Sequence, residues 1–203
     1  MTKLYITRHG ETEWNIERRM QGRLDSPLTL KGKEQAAALG KRLASVRLDA
    51  VYSSTAPRAV ATAEIAIAGR LIQQHQHAGL CEYAIGEWEG KTMEELKSSE
   101  PANFDSFINH PDKFIPPAGA ETFSQLQRRL AVTLGELAAK YEGKTLLLVA
   151  HGVVMRCLRA YLLNVPIEKV WHEAYKPTAL SILEAENGNY SVKLWNDTSH
   201  YQQ

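Results

Sequence analysis

Apolar residues fall along this chain in two recurring patterns. Short apolar or alternating runs at 4–7, 50–53, 71–74, 145–150, 180–184 and 190–194 read as strands, while a helical period spaces the apolar positions at 31–44, 56–68, 122–141 and 153–163. Strands that alternate with helices in this way build a largely parallel sheet covered on both faces. The last two runs flank Asn187-Gly188, a pair that accepts the backbone of a two-residue turn, so they predict a hairpin that adds an antiparallel edge. The predicted fold class is a three-layer α/β/α sandwich with a mainly parallel central sheet, an antiparallel edge strand and a small helical insertion.

The insertion is where the pattern weakens. Between Glu82 and Thr122, Pro101, Pro111, Pro116 and Pro117 punctuate short apolar helices that carry Phe104, Phe107, Ile108 and Phe114. This stretch, at about 83–121, is expected to form a helical lid over the carboxyl edge of the sheet, within one domain spanning 1–203. The residues from Asp197 to Gln203 read only as a polar tail.

The 203 residues and an apolar fraction of 44% suit a chain with a sizeable core. A net charge of +1, with both signs mixed along the sequence, gives no electrostatic case for nucleic acid or an anionic membrane as partner. The chain enters a strand at once, without the profile of a secretory signal, and no apolar run reaches the ~20 residues of a membrane span, so a cytoplasmic protein is expected. Cys81 and Cys157 are too few for a disulfide framework and lack metal-binding spacing, and both are expected as buried thiols. Oligomeric state stays open between monomer and homodimer.

Chemistry concentrates at two strand ends. Arg8-His9-Gly10 ends the first predicted strand and Ala150-His151-Gly152 ends the fourth, and an α/β protein binds ligands at the carboxyl ends of its strands. The residues from Arg8 to Asn15 (RHGETEWN), followed by Gln21-Gly22, Asp25-Ser26-Pro27-Leu28-Thr29 and Lys31-Gly32, resemble the opening signature of the histidine phosphatase superfamily, also called phosphoglycerate mutase-like. Tyr52-Ser53-Ser54 leading to Arg58-Ala59 and Thr62-Ala63, Leu80-Cys81-Glu82-Tyr83 with Gly86-Glu87-Trp88-Glu89-Gly90, and Ala150-His151-Gly152 match its later motifs in order. Within the family the chain is most similar to small bacterial broad-specificity phosphatases of the PhoE type.

The resemblance implies a phosphomonoesterase acting on a small phosphorylated substrate, with no metal and no cofactor. Physical reasoning gives each residue a part. Displacement at phosphorus spreads charge over equatorial oxygens, so fixed donors must surround one nucleophile. His9 is the expected nucleophile; the resemblance implies transfer to its Nε2, an orientation that requires Nδ1–H to be held by a carbonyl such as that of Gly10. Arg8 and Arg58 clamp the phosphoryl oxygens with planar, permanently charged forks, and His151, when protonated, adds a further donor. One group of tunable pKa should serve both proton steps, and the resemblance implies that Glu82 protonates the leaving oxygen and then activates water. Asn15, Gln21 and the backbone at Gly10, Gly22 and Gly152 are expected phosphate contacts, with Thr12 a lesser candidate. Neither HExxH nor a phosphate-loop motif is present, and the cationic groups replace a metal.

Bland readings compete. Strand-end histidines are commonly structural, Gly10 and Gly152 could serve turns that need unusual backbone angles, and Asn15 and Gln21 could cap loops. Arg58, next to Pro57 at a helix start, opposes the helix dipole unless an anion lies there. Phe107 and Trp171 fit either core or pocket, and His75, His77, His110, His172 and His200 match no motif. Two other functions remain: a cofactor-dependent phosphoglycerate mutase, and a non-catalytic phosphate-binding or scaffold protein. The mutase's basic cluster has no counterpart here, since Arg128-Arg129 falls within a predicted helix.

Overall fold

The computed structural model describes residues 1–202. Six strands, β1 (Thr2–Arg8), β2 (Ala50–Ser53), β3 (Gln74–Gln76), β4 (Thr145–Ala150), β5 (Leu180–Glu186) and β6 (Asn189–Asp197), form one sheet in the order β3-β2-β4-β1-β5-β6. The first four run parallel, and β5 and β6 add antiparallel neighbours. Seven α-helices accompany them among the described residues: α1 (Glu13–Ile16), α2 (Leu30–Arg42), α3 (Pro57–Ala66), α4 (Met93–Ser99), α5 (Pro101–Asn109), α6 (Phe123–Lys140) and α7 (Gly152–Leu162). The predicted mixed sheet with mainly parallel strands is the observed one.

Strand periodicity divides the core between two faces. Leu146 and Leu148 of β4, with Leu4 and Ile6 of β1, join Leu126, Leu130 and Leu134 of α6 and Val154 and Leu158 of α7. The alternate residues Leu147 and Val149 join Val51 and, from α2 and α3, Leu39, Ala59 and Ala63 on the other side. Helices therefore cover both faces, which is why β4 is buried along nearly its whole length.

Departures from the expected boundaries have local causes. The third strand lies at Gln74–Gln76 rather than 71–74, because an edge strand is fixed by its ladder to Val51–Ser53 and needs no apolar run; Leu71 is left exposed and Ile72 packs on the second cluster. Helix α3 begins at Pro57, whose missing N–H is harmless in a first turn. Helix α1, a single turn made by a Thr12–Asn15 capping box, is too short to leave a periodic signal. The hairpin behaves as expected, with Asn187 and Gly188 both left-handed at φ 50° and 78°. The tail closes with a 3-10 turn at Ser199–Gln202 that buries His200 beside Thr178, while Gln203 lies outside the described residues.

The stretch from 83 to 121 carries α4 and α5 and is packed onto the sheet layers. Trp88 is enclosed by Phe107 and Phe114, with centroids 5.5 and 5.3 Å away, and Tyr83 stacks on Phe123 at 4.9 Å. Its two ends meet: the Glu121 N–H donates to the Ala84 carbonyl at 3.0 Å, and the Glu121 carboxylate accepts from the Ala84 N–H at 3.0 Å.

Where β1 runs into α1 and α2, the backbone approaches itself closely. A Cβ on Gly10 would stand 2.4 Å from the Gly32 carbonyl oxygen, and one on Gly32 would stand 2.0 Å from that of Glu11. Neither glycine is left-handed, so it is space, rather than an unusual φ, that requires them. Gly32→Ala should therefore cost about 1–3 kcal/mol of stability, read as a lower urea midpoint; an unchanged midpoint would contradict this packing.

Candidate active site

Parallel pairing of β1 with β4 places Arg8 directly opposite Ala150. The next residue on each strand is a histidine, so His9 and His151 emerge side by side at the carboxyl edge, ring centroids 5.2 Å apart. His151 also starts α7 as its N-cap residue. In front of His9 lies a cavity of about 360 Å³. Its polar lining comprises Arg8, His9, Asn15, Gln21, Gly22, Arg58, Glu82 and Gly152, and its largely apolar lining Met20, Ile85, Met93, Phe107, Ile108, Trp171 and Tyr175, with Arg19 and Arg156.

His9 is 2% exposed, and its Nδ1 lies 2.7 Å from the Gly10 carbonyl oxygen. A carbonyl only accepts, so Nδ1 carries the proton and a neutral ring keeps its lone pair on Nε2. Burial, then Arg58 and Arg8, hold the His9 pKa well below its usual 6.5, so the ring is neutral. The Gly10 N–H in turn donates to Thr62 Oγ1 on α3 at 3.0 Å, which fixes the turn that aims the imidazole.

Both flanking arginines are held by backbone carbonyls. Arg8 Nη1 donates to the Tyr175 carbonyl at 2.6 Å. Burial draws its pKa down to about 10, against the opposing pull of Glu82, and leaves it charged at neutral pH. Arg58 Nη1 donates to the Leu24 carbonyl at 2.6 Å and the Asp25 carboxylate at 2.8 Å, and Nη2 to the Gly22 carbonyl at 3.0 Å. Asp25 also accepts from the Arg58 N–H at 3.3 Å and supplies the anion that a basic residue at a helix start needs. The Nε atoms of both arginines are buried without a protein partner.

Glu82 sits at the start of α7. Its carboxylate accepts from Val153 N and Val154 N at 3.2 Å each and from Tyr83 N at 2.9 Å. Its chain segment is fixed from behind by Arg129 of α6, which donates to the carbonyls of Gly79 and Cys81 at 2.8 Å each and of Glu82 at 3.4 Å, and pairs with Glu121.

The expected site residues thus fall into two groups. Arg8, His9, Asn15, Gln21, Gly22, Arg58, Glu82 and Gly152 share one cavity. Gly10, Thr12 and His151 do not line it. Thr12 Oγ1 accepts from Asn15 N at 3.3 Å and Gln21 Nε2 at 2.9 Å, so it organises the loop. The Asn15 amide oxygen is taken by Thr12 N, which leaves its NH2 free, whereas the Gln21 amide is engaged at both ends. Burial, then Arg58 and His9, push the His151 pKa well below 6.5, so the ring is neutral. Phe107 and Trp171 serve both core and cavity wall.

Asp25 and Arg156 were not anticipated. Asp25 lies inside the recognised signature, and a basic residue at a helix start was its signal. Arg156 follows His151 by five positions along α7 and has no local sequence signal.

The sequence profile of the histidine phosphatase superfamily (branch 1) matches residues 4–198. The chain is 32% identical over 201 residues to phosphoserine phosphatase 1 of Hydrogenobacter thermophilus, covering 98% of this chain and 94% of that one. It is 31% identical over 206 residues to the probable phosphoglycerate mutase GpmB of Salmonella choleraesuis, covering 98% and 95%. Among solved structures, YhfR of Bacillus stearothermophilus superposes with a TM-score of 0.95 at 43% identity, covering 98% of this chain and 99% of that one. With its fold, its paired strand-end histidines and a profile match over nearly its full length, the chain belongs to the histidine phosphatase superfamily, branch 1.

Proposed function

We propose that this phosphatase hydrolyses small phosphate monoesters by way of a covalent phosphohistidine on His9, without a metal. The observation that carries the proposal is the state of His9: proton fixed on Nδ1 by the Gly10 carbonyl, ring neutral, Nε2 free, and two buried guanidinium groups beside it.

The chemistry proceeds in two displacements. Nε2 attacks phosphorus, the bond to the leaving oxygen breaks, and Glu82 gives that oxygen its proton. Glu82, now a carboxylate, takes a proton from water; the hydroxide attacks phosphorus, the N–P bond breaks, and inorganic phosphate leaves. Arg8, Arg58, the Asn15 NH2 and the N-terminus of α7 at Gly152 receive the phosphoryl oxygens. His151 takes up a proton as the dianion arrives and completes the positive shell. Among the described residues no group of three or more His, Cys, Asp and Glu clusters to hold a metal ion, and the guanidinium groups supply the charge a metal would bring. The segment at 83–121 acts as the lid over the leaving group. Among the described residues no helix is long and apolar enough to cross a membrane, and the proposed site of action is the cytoplasm.

His9→Ala should abolish release of inorganic phosphate from p-nitrophenyl phosphate in the presence of EDTA while the circular dichroism spectrum is kept; a variant with near-normal turnover would sink the phosphohistidine. With 3-phosphoglycerate, phosphate release identifies the hydrolase, and conversion to the 2-isomer without release would favour a mutase. Glu82→Gln should slow alkyl esters at least about tenfold more than p-nitrophenyl phosphate, since only poor leaving groups need the proton; equal losses would remove Glu82 as the acid.

The depressed histidines set a pH dependence. A histidine protonated in the unfolded chain below 6.5 but neutral in the native state favours unfolding as acid is added, so their contribution to stability is complete above 6.5 and declines below it. The urea midpoint of the native protein should fall between pH 6.5 and 5. His9→Ala should flatten that fall, and an equally steep fall in the variant would show His9 to be protonated in the native state.

A further inference from the structure

We infer that Arg156 is a positioning residue for the phosphate clamp, acting on Arg8 through the strap of chain at residues 171–175. The inference rests on the proposed phosphatase chemistry. The strap follows a 3-10 turn at Ile167–Lys169 and leads towards β5. Within it, the Tyr175 carbonyl receives Arg8 Nη1, among the described residues the one hydrogen bond that orients the Arg8 guanidinium, while its Nε has no partner there. Arg8 can point correctly only as well as Tyr175 is placed.

Arg156 reaches the strap from α7. Its Nη1 donates to the Glu173 carbonyl at 2.5 Å, and its guanidinium plane lies over the Trp171 and Tyr175 rings at 5.2 and 5.4 Å. One planar cation thus touches three of the five strap residues, and the rings it holds line the cavity. The carboxylates of Glu82 and Glu173 act on its charge without an ion-pair contact, so its hold on the strap is through the carbonyl and the two rings. The nearest acid of the strap, Glu173, is taken by Arg159 Nε at 2.8 Å and Asn196 Nδ2 at 2.8 Å. Further ties make the strap a rigid part: Trp195 Nε1 donates to Tyr175 Oη at 2.6 Å, and Trp171 Nε1 donates to the Phe107 carbonyl of α5 at 2.5 Å. Of these ties, Arg156 is the one that faces the cavity with charge.

An apolar side chain could fill the same space, but it would neither donate to the Glu173 carbonyl nor lock the two rings. Removing the guanidinium should therefore let the Tyr175 carbonyl drift and weaken the grip on phosphate, whatever the leaving group.

The test uses Arg156→Met and Arg156→Lys beside Arg8→Ala and the Arg8→Ala, Arg156→Met double variant. Arg156→Met should raise KM for p-nitrophenyl phosphate and glycerol phosphate, and the inhibition constant of inorganic phosphate, all by a similar factor of about tenfold, with kcat changed less than about threefold. Lysine, which lacks the planar fork, should not rescue. The double variant should bind phosphate no more weakly than Arg8→Ala. A loss that depends on the leaving group, with phosphate inhibition unchanged, would overturn the inference by showing direct contact with the leaving group. Losses of the two single variants that multiply in the double would overturn it by showing independence, and a lower Tm with unchanged kinetics would reduce Arg156 to a packing residue. Should Arg156→Met fail to fold, Arg156→Gln carries the same comparisons. If the native protein turns over no ester, the phosphatase chemistry fails, and calorimetric binding of inorganic phosphate to the same variants still decides the role of Arg156.

Discussion

The site depends on one pairing, the parallel ladder between β1 and β4. Because Arg8 faces Ala150 across it, the chain leaves both strands at the same level, and two histidines distant in sequence become neighbours. A slip of one residue would turn every side chain of the strand to the opposite face and separate the rings. Register is secured by the core, since Leu146 and Leu148 can lie only on the α6 face and Leu147 and Val149 only on the α2 and α3 face. Packing of the core and placement of the chemistry are thus the same constraint.

Positive charge is then collected around those histidines and held by backbone oxygens. Arg8 leans on the Tyr175 carbonyl and Arg58 on those of Gly22 and Leu24. A carbonyl orients a guanidinium without neutralising it, so the charge stays available to an incoming anion. Asp25 is the exception, and it offsets the one arginine that also opposes a helix dipole. Burial first, and that positive field second, hold the pKa of both imidazoles well below the usual 6.5.

The sheet, its hairpin and the polar lining of the cavity were legible because each has a local signal: unbroken apolar runs, Asn187-Gly188, and a motif that sets Arg8, His9, Arg58, Glu82 and His151 in order. The third strand was misplaced because a ladder, and no apolar run, defines Gln74–Gln76. Gly10 reads from sequence as a backbone phosphate contact, or else as a turn needing an unusual angle; the close approach of Gly32 that it permits is a contact between segments that no local pattern records. Asp25 could have been found by asking what compensates Arg58. Arg156 could not, since its partners at Glu173, Trp171 and Tyr175 lie on a loop that tertiary packing alone brings back to α7.

The stretch from 83 to 121 leaves and rejoins the body of the protein at one point, where Ala84 and Glu121 exchange hydrogen bonds. A loop closed at its stem can change length with little entropic consequence, about 0.6 kcal/mol for each doubling. Glu121 also pairs with Arg129, the residue that carries the Glu82 backbone, so the stem and the acid share one anchor. The part of the cavity wall that this stretch supplies, at Ile85, Met93, Phe107 and Ile108, is accordingly tethered to the same anchor that carries the Glu82 backbone at the sheet edge.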